Sequence, residues 1–489
     1  MQFRWRAPSI DFDALRQELG VTERFPDDAW AEAENAHDRF AGQRVDRTDL
    51  ELVTVDPPGS KDLDQAVRLV PDGDGFLVHY AIADVAALVE PGGALDAETR
   101  RRGTTVYFPD GNVPLHPRII SEGAGSLLPD VDRPAVLWTV RVDGAGDVTE
   151  TTVERAVVRS RARLDYQGVA ADAVAGTMNP AISGLQAFGE LREKWSLDRG
   201  AVQLELPDQE VVPNTNSKYR RRWTLQLAPR TPADGWNAQV SLLVGMCAGQ
   251  IMRTAGTGFF RTLPAATKEA VDELRSVARH LQVPWPDGDS PGQFLATLPP
   301  DQPSTLALMT QGARLMRGAG YRALEPGEQV GDEELVHAGV GGLYAHVTAP
   351  LRRLGDRFAT EICLAVTAGR PVDDWVSAAL PELGKIMSGA DSLSSTANRR
   401  SIDLAEATVL ADQIGTRFDA TVMRQAGAKR AGEIFIPVPA IIAPCSPSPD
   451  AGQTCVVEVT VADPKAGEVD FAAIGPDTPP AEAQAPVTS

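Results

Sequence analysis

Paired cysteines are missing from this sequence. Cys247, Cys363, Cys445 and Cys455 are the whole complement, and no two make a CxxC pair. A disulfide framework is therefore not expected, and the four thiols read as small buried hydrophobes in a reducing compartment. Positive charge is also short: the formal net charge is −20. This argues against a general nucleic-acid coat, because binding phosphate needs a basic footprint. A local basic channel inside an acidic exterior is not excluded, and such an exterior discourages indiscriminate binding. No apolar run reaches the length of a membrane span, and the first residues, MQFRWRAPSIDFDAL, hold no signal-peptide core. The expectation is a soluble, cytoplasmic protein with no membrane partner, acting as a monomer.

What is present is a long chain, 489 residues with 43% hydrophobic content, enough for about two to four domains and a large core. Residues 1–45 read as a short helical segment, with Phe12, Leu15, Leu19 and Val21 on one stripe and a second helix opening at Pro26-Asp27-Asp28. From Leu50 the pattern turns to strands: Leu52–Val55, Ala66–Val70, Phe76–Val85, Thr104–Phe108 and Ala135–Val142. Leu95 to Gly103 has acids at its start and cations with glycine at its end, a helix signature. Helices are expected at 235–255, 268–282, 303–318 and 348–366. This is an α+β domain spanning 46–400. Residues 389–402 read as a polar linker. A helix and short strands at Phe418–Met423, Glu433–Val438, Thr454–Val461 and Glu468–Ala473 then predict a small β-barrel of the OB kind over 401–475. Residues 476–489 form a Pro/Ala tail of disordered composition.

The chemistry concentrates in Asp56-Pro57-Pro58-Gly59-Ser60-Lys61-Asp62-Leu63-Asp64-Gln65-Ala66. Three carboxylates sit within nine residues on a turn that follows a strand. Hard divalent cations want oxygen ligands at fixed positions, and a turn stiffened by proline can supply them. The alternative is an ordinary Asp-initiated turn. A second stretch, Tyr344-Ala345-His346-Val347-Thr348-Ala349-Pro350-Leu351-Arg352-Arg353-Leu354-Gly355-Asp356, reads as a helix start. Thr348 would be the cap, with Pro350 and Arg352 in the first turn; free N–H groups and a cation there suit a phosphate. The plain alternative is a surface helix with an Arg352–Asp356 ion pair.

Both stretches resemble the signatures of the RNase II / RNase R family, exoribonucleases with an RNB catalytic domain. The first resembles Asp-Pro-x-x-x-x-Asp-x-Asp-Asp-Ala, matched at Asp56, Pro57, Asp62, Asp64 and Ala66. The second resembles Tyr-Ala-His-x-Thr-Ser-Pro-Ile-Arg-Arg-x-x-Asp, with Ala349 and Leu351 as mild departures. Phe25-Pro26 and Asp46-Arg47-Thr48-Asp49-Leu50 also look like that family's approach to its catalytic domain. The resemblance covers roughly 20 to 475. It implies an RNB-type catalytic domain, a C-terminal OB-fold barrel and processive 3′→5′ hydrolysis of single-stranded RNA to 5′-nucleoside monophosphates. Asp56, Asp62, Asp64 and Gln65 would hold Mg²⁺, with Mn²⁺ as an alternative ion. Asp64 and Arg352 would be catalytic, Arg352 on the scissile phosphate. Tyr107, in a segment resembling the family's Tyr-x-Pro…x-Pro-Met-Leu-Pro, would stack on the terminal bases, and Tyr166 would sit near the RNA 3′ end.

Departures from the pattern matter. Gln65 stands where the family has a fourth aspartate, and a carboxamide brings an oxygen but no charge. The family helix Glu-Glu-x-Met-x-x-Ala-Asn is degraded at Ala238–Gly245, so no site is assigned there. The two cold-shock-type OB domains usual in the family do not precede the first motif. The cation runs Arg220-Arg221-Arg222 and Arg399-Arg400 read as solvated faces. Three readings stay open: a metal-dependent exoribonuclease, a catalytically weakened or inactive RNA-binding protein on the same fold, and an unrelated metal-dependent hydrolase with an acidic substrate.

Overall fold

The computed structural model describes residues 10–213, 223–300, 302–427 and 430–474. The run Arg220–Arg222 and the tail 476–489 lie outside them. Two short helices, Phe12–Glu18 and Asp27–Glu34, open the described chain. Asp11 caps the first by accepting the N–H groups of Asp13 and Ala14.

A six-stranded sheet follows, in the order Val45–Asp46, Val148–Leu164, Leu52–Val55, Gln65–Asp72, Gly75–Ala83, Asp132–Val142. The 17-residue strand Val148–Leu164 also pairs with Asp132–Val142, so the sheet curls back on itself. Side chains alternate between its faces with period two. Val53, Val67, Val78, Tyr80, Ile82, Val136 and Trp138 face a large core shared with the helices Pro232–Ala255 and Leu354–Thr367. Leu52, Ala66, Ala81, Ala135, Leu137 and Ala156 face a second core closed by Leu63 and Leu127. The strand Leu52–Val55 runs parallel to Val148–Leu164, and the Asp56 N–H donates to Leu164 O at 3.1 Å. That register fixes where the acidic turn begins.

Two expectations fail. Residues 389–402 are not a linker; they are the middle of a 31-residue helix, Leu380–Leu410. The Ser and Thr hydroxyls that look unhelical bond back to their own helix: Ser392 to Ser388 O at 3.0 Å, Thr396 to Ser392 O at 2.8 Å, Ser401 to Ala397 O at 2.7 Å. Met387, Ala390, Ala397, Ser401 and Ala405 form a buried stripe of mostly small residues at helical spacing. Residue 400 falls inside this helix. Secondly, the helix expected from 348 begins at Leu354. The Asp356 carboxylate takes the Ala349 N–H at 2.7 Å, while Thr104 Oγ1 and the Thr105 N–H hold Arg352 O at 2.8 and 2.9 Å. These bonds draw 348–353 out of helical geometry.

The C-terminal strands close a barrel in the order Arg417–Arg424, Gly432–Ile436, Ile441–Cys445, Glu468–Ala473, Thr454–Asp463. Its core includes Val422, Ile434, Ile441, Val457, Val459 and Phe471. The strand Ile441–Cys445 escapes a sequence reading because Pro444 and the Ser-Pro-Ser-Pro run that follows look like loop. Among the described residues no helix is long and apolar enough to cross a membrane.

Candidate active site

Asp64 occupies the last position before the strand Gln65–Asp72 and is 3% exposed. Its Oδ1 accepts the Leu351 N–H at 2.8 Å, and its Oδ2 lies 3.7 Å from Arg352 Nε. Two motifs 287 residues apart thus meet at one carboxylate. Burial pushes the Asp64 carboxyl up to about 8, against the pull of Arg352 and the Leu351 N–H. Gln65 adds a second clasp: its side-chain amide donates to Thr348 O. The carboxamide is therefore engaged with the backbone of the second motif through its nitrogen.

Asp56 is the other strained acid. Burial, then repulsion from Asp62, raises it to about 6 while Arg352 and Arg163 pull it down. Its Oδ2 is buried with no hydrogen-bond partner. A buried carboxylate oxygen without a donor is costly unless a cation meets it. Asp62 accepts the Tyr107 hydroxyl at 3.4 Å. Among the described residues, no group of three or more His, Cys, Asp or Glu side chains forms a ready cage for a metal ion.

Arg352 is not in a helical turn; it precedes the helix, with its side chain 46% exposed beside Asp64. The expected Arg352–Asp356 pair is replaced by Arg353–Asp356, at 2.8 Å and with Asp356 fully buried. Arg353 thus holds the turn while Arg352 stays free toward solvent. Tyr107 is 49% exposed on a hairpin of strands Val106–Phe108 and Gly111–Val113. Tyr166 starts the helix Tyr166–Ala175, and its hydroxyl receives a long bond, 3.5 Å, from Asn237. Burial first, then the charge of Asp56, holds the Tyr166 phenol un-ionised.

The structure therefore brings Asp56, Asp62, Asp64, Arg352, Tyr107 and Tyr166 close enough together to act on one another's charge, with Gln65 next to Asp64 in the chain. Two further residues escape the sequence reading. Arg163 ends the strand beside Asp56 and donates to Ser60 O at 2.9 Å, pinning the acidic turn. The only hint was its alternation with Arg159 and Arg161 in the sequence. Asn237 lies one residue before the degraded family helix, and nothing in the sequence marks it.

Comparison with known proteins identifies the two domains. Residues 44–367 match the RNB domain, and residues 416–474 match the RNase II-type exonuclease C-terminal S1 domain. Ribonuclease R of Escherichia coli is 28% identical over 447 residues, 86% of this chain and 52% of that protein. The chain spans about half the length of the curated relatives it matches. The apo form of Mycoplasma genitalium RNase R shares the fold with a TM-score of 0.82 at 18% identity, over 95% of this chain and 77% of that one. Yeast Ssd1, described as a pseudonuclease, also shares it, with a TM-score of 0.64 at 15% identity over 82% of this chain and 50% of its own. With two thirds of its length matched by that one catalytic-domain model and its C-terminal barrel by the S1 model, the chain belongs to the RNB-domain family of RNase II-type proteins.

Proposed function

We propose that this protein is a cytoplasmic, monomeric exoribonuclease that removes nucleotides processively from the 3′ end of single-stranded RNA, releasing 5′-monophosphates with a divalent cation. In this reading 1–45 is a helical N-terminal segment, 46–400 the catalytic domain and 401–475 the RNA-binding barrel, with the helix Leu380–Leu410 running through both. The observation that carries the reading is the meeting of Asp64 with Leu351 and Arg352 beside the unpartnered Asp56 oxygen.

The acids fit a cation bound as Mg²⁺ usually is, through one or two carboxylates with water and substrate phosphate completing the shell. Asp56 and Asp62 would hold it, with Asp64 behind them and Gln65 adding an uncharged oxygen; Mn²⁺ is the alternative ion. When bound, the cation supplies charge neutralisation and polarisation of the phosphate. The protein's own groups do the rest. Arg352, half-exposed and only 3.7 Å from Asp64 on its inner side, offers its guanidinium to charge that grows on the scissile phosphate. Asp64 orients Arg352 and the attacking water. Tyr107 gives any base a stacking face, which suits an enzyme indifferent to sequence. Tyr166 and Asn237 flank the end of the strand.

A second reading, RNA binding without catalysis, is favoured by one feature: Gln65 replaces an acid and its amide is spent on Thr348 O. Incubating 5′-labelled single-stranded RNA with the protein, with Mg²⁺ and with a chelator, separates the two. Conversion of the 5′ label to a short end product, with unlabelled monophosphates recovered chromatographically, only with Mg²⁺ supports the exonuclease. A shifted, uncut band in both lanes supports the binding protein, and no interaction at all removes both.

A further inference from the structure

Tyr107 sits on a hairpin whose strands have three residues each, too short to hold their own shape in water. Its turn, Pro109-Asp110, is gripped from outside by Arg16 of the helix Phe12–Glu18. The Arg16 guanidinium donates to both Asp110 oxygens, from Nη1 to Oδ2 at 3.1 Å and from Nη2 to Oδ1. It also donates to Asp13 at 2.8 Å and lies 4.6 Å from the centre of the Phe108 ring. The side chain is only 10% exposed. A guanidinium fork on a carboxylate fixes orientation as well as distance.

The opposite strand is held as well. Asn112, the register partner of Tyr107, accepts on Oδ1 from Arg118 at 3.1 Å, and Arg118 is 3.5 Å from Glu23 of the same N-terminal segment. The helix that supplies Arg16 is itself anchored, with Phe12 edge-on to Trp223 at 5.3 Å and Glu18 accepting from Arg400 at 2.8 Å. A continuous set of contacts thus runs from the N-terminal helix through Arg16, the Asp110 turn and Tyr107 to Asp62 on the acidic turn.

We infer that Arg16 is a positioning residue for the substrate: by clamping the Asp110 turn it sets where Tyr107 meets the terminal base. The N-terminal helix is then part of the RNA-binding site. This rests on the functional reading above and adds to it a role for a segment outside both family motifs.

A double-mutant cycle between Arg16→Met and Tyr107→Ala tests it, reading kcat and KM on single-stranded RNA. Quenching of a 2-aminopurine placed at the RNA 3′ end, measured in chelator, reports stacking directly. Arg16→Met should raise KM about fivefold or more, within the range of one lost base stack, with kcat within about twofold. The quench should fall, and Arg16→Lys should recover part of both. In the Tyr107→Ala background the same change should cost nothing further. If Arg16→Met does not fold, Asp110→Asn weakens the same clamp and carries the same cycle. A KM penalty that persists undiminished in Tyr107→Ala, or an unchanged KM and quench in the folded variant, overturns the inference. Wild-type protein that neither binds nor cuts RNA overturns the functional reading first, before any Arg16 variant is made.

Discussion

Asp64, the proposed catalytic acid, is held at a cost to stability. It is buried, faces an exposed arginine at 3.7 Å, and is raised to about 8 by burial. Asparagine keeps the acceptor for the Leu351 N–H and removes the ionisation. Asp64→Asn should therefore abolish turnover, keep RNA binding and raise thermal stability near neutral pH by about 1 kcal/mol or more. Unchanged turnover would remove Asp64 from the mechanism. Arg352→Ala should lower kcat far more than it raises KM, because its partner charge grows in the transition state; a pure KM effect would make it a ground-state clamp. Gln65→Asp is expected to split two readouts. An added carboxylate lowers the Mg²⁺ concentration for half-maximal activity, while loss of the amide that donates to Thr348 O lowers the melting temperature. Superimposable metal curves would place Gln65 outside the ion's shell.

At the scale of elements, the helix Leu380–Leu410 can be tested against the linker that its composition suggests. Ser395 is exposed and sits mid-helix. Proline there should cost about 3 kcal/mol by removing a bond and clashing with the preceding turn; in a linker it would cost nothing. Denaturant midpoints of Ser395→Pro and wild type decide. The linker reading failed because Ser, Thr and Asn prefer caps and turns as isolated residues, whereas here burial of a small-residue stripe outweighs that preference. Other elements were plainer. The strand Leu52–Val55 is rich in β-formers and stops at Asp56-Pro57-Pro58-Gly59, so the acidic turn and its carboxylates were legible. Tyr107 and Arg352 were legible through their motifs, although the backbone of Arg352 was not: the bonds from Thr104 and Thr105 that displace the helix start come from 248 residues away. Arg16 is an unremarkable cation on an amphipathic helix until the fold brings Asp110 to it.

Across the whole molecule, buried acids and buried histidines oppose each other in their response to pH. Burial lowers His79, His116 and His337 to about 4 each, and His346 well below its ordinary value. Their contribution is present above the unfolded value of about 6.5 and is lost as pH falls toward the folded values. Asp56, Asp64 and Glu406 are raised to about 6, 8 and 7, burial being the first cause for each. Their contribution is complete below the unfolded carboxylate values of about 4 and is lost as pH climbs through the folded ones. Below about pH 6.5 the unfolded chain gains protons on histidine that the fold refuses; from about pH 4 up to the folded values the fold keeps protons on acids that the unfolded chain has shed, and above about pH 6.5 that second effect is the larger. In chelator the melting temperature should therefore peak between about pH 6 and 7 and decline on both sides. A divalent cation acts on one arm alone, since it favours the ionised forms of Asp56 and Asp64 and leaves the histidines and Glu406 untouched. Mg²⁺ should then raise the melting temperature more at pH 8 than at pH 6 and move the optimum upward, and in Asp64→Asn the gain should shrink. Melting curves from pH 5 to 8.5 with Mg²⁺ and with chelator measure this directly. An Mg²⁺ gain of equal size at every pH, or one unaffected by Asp64→Asn, would mean that the ion binds away from these carboxylates.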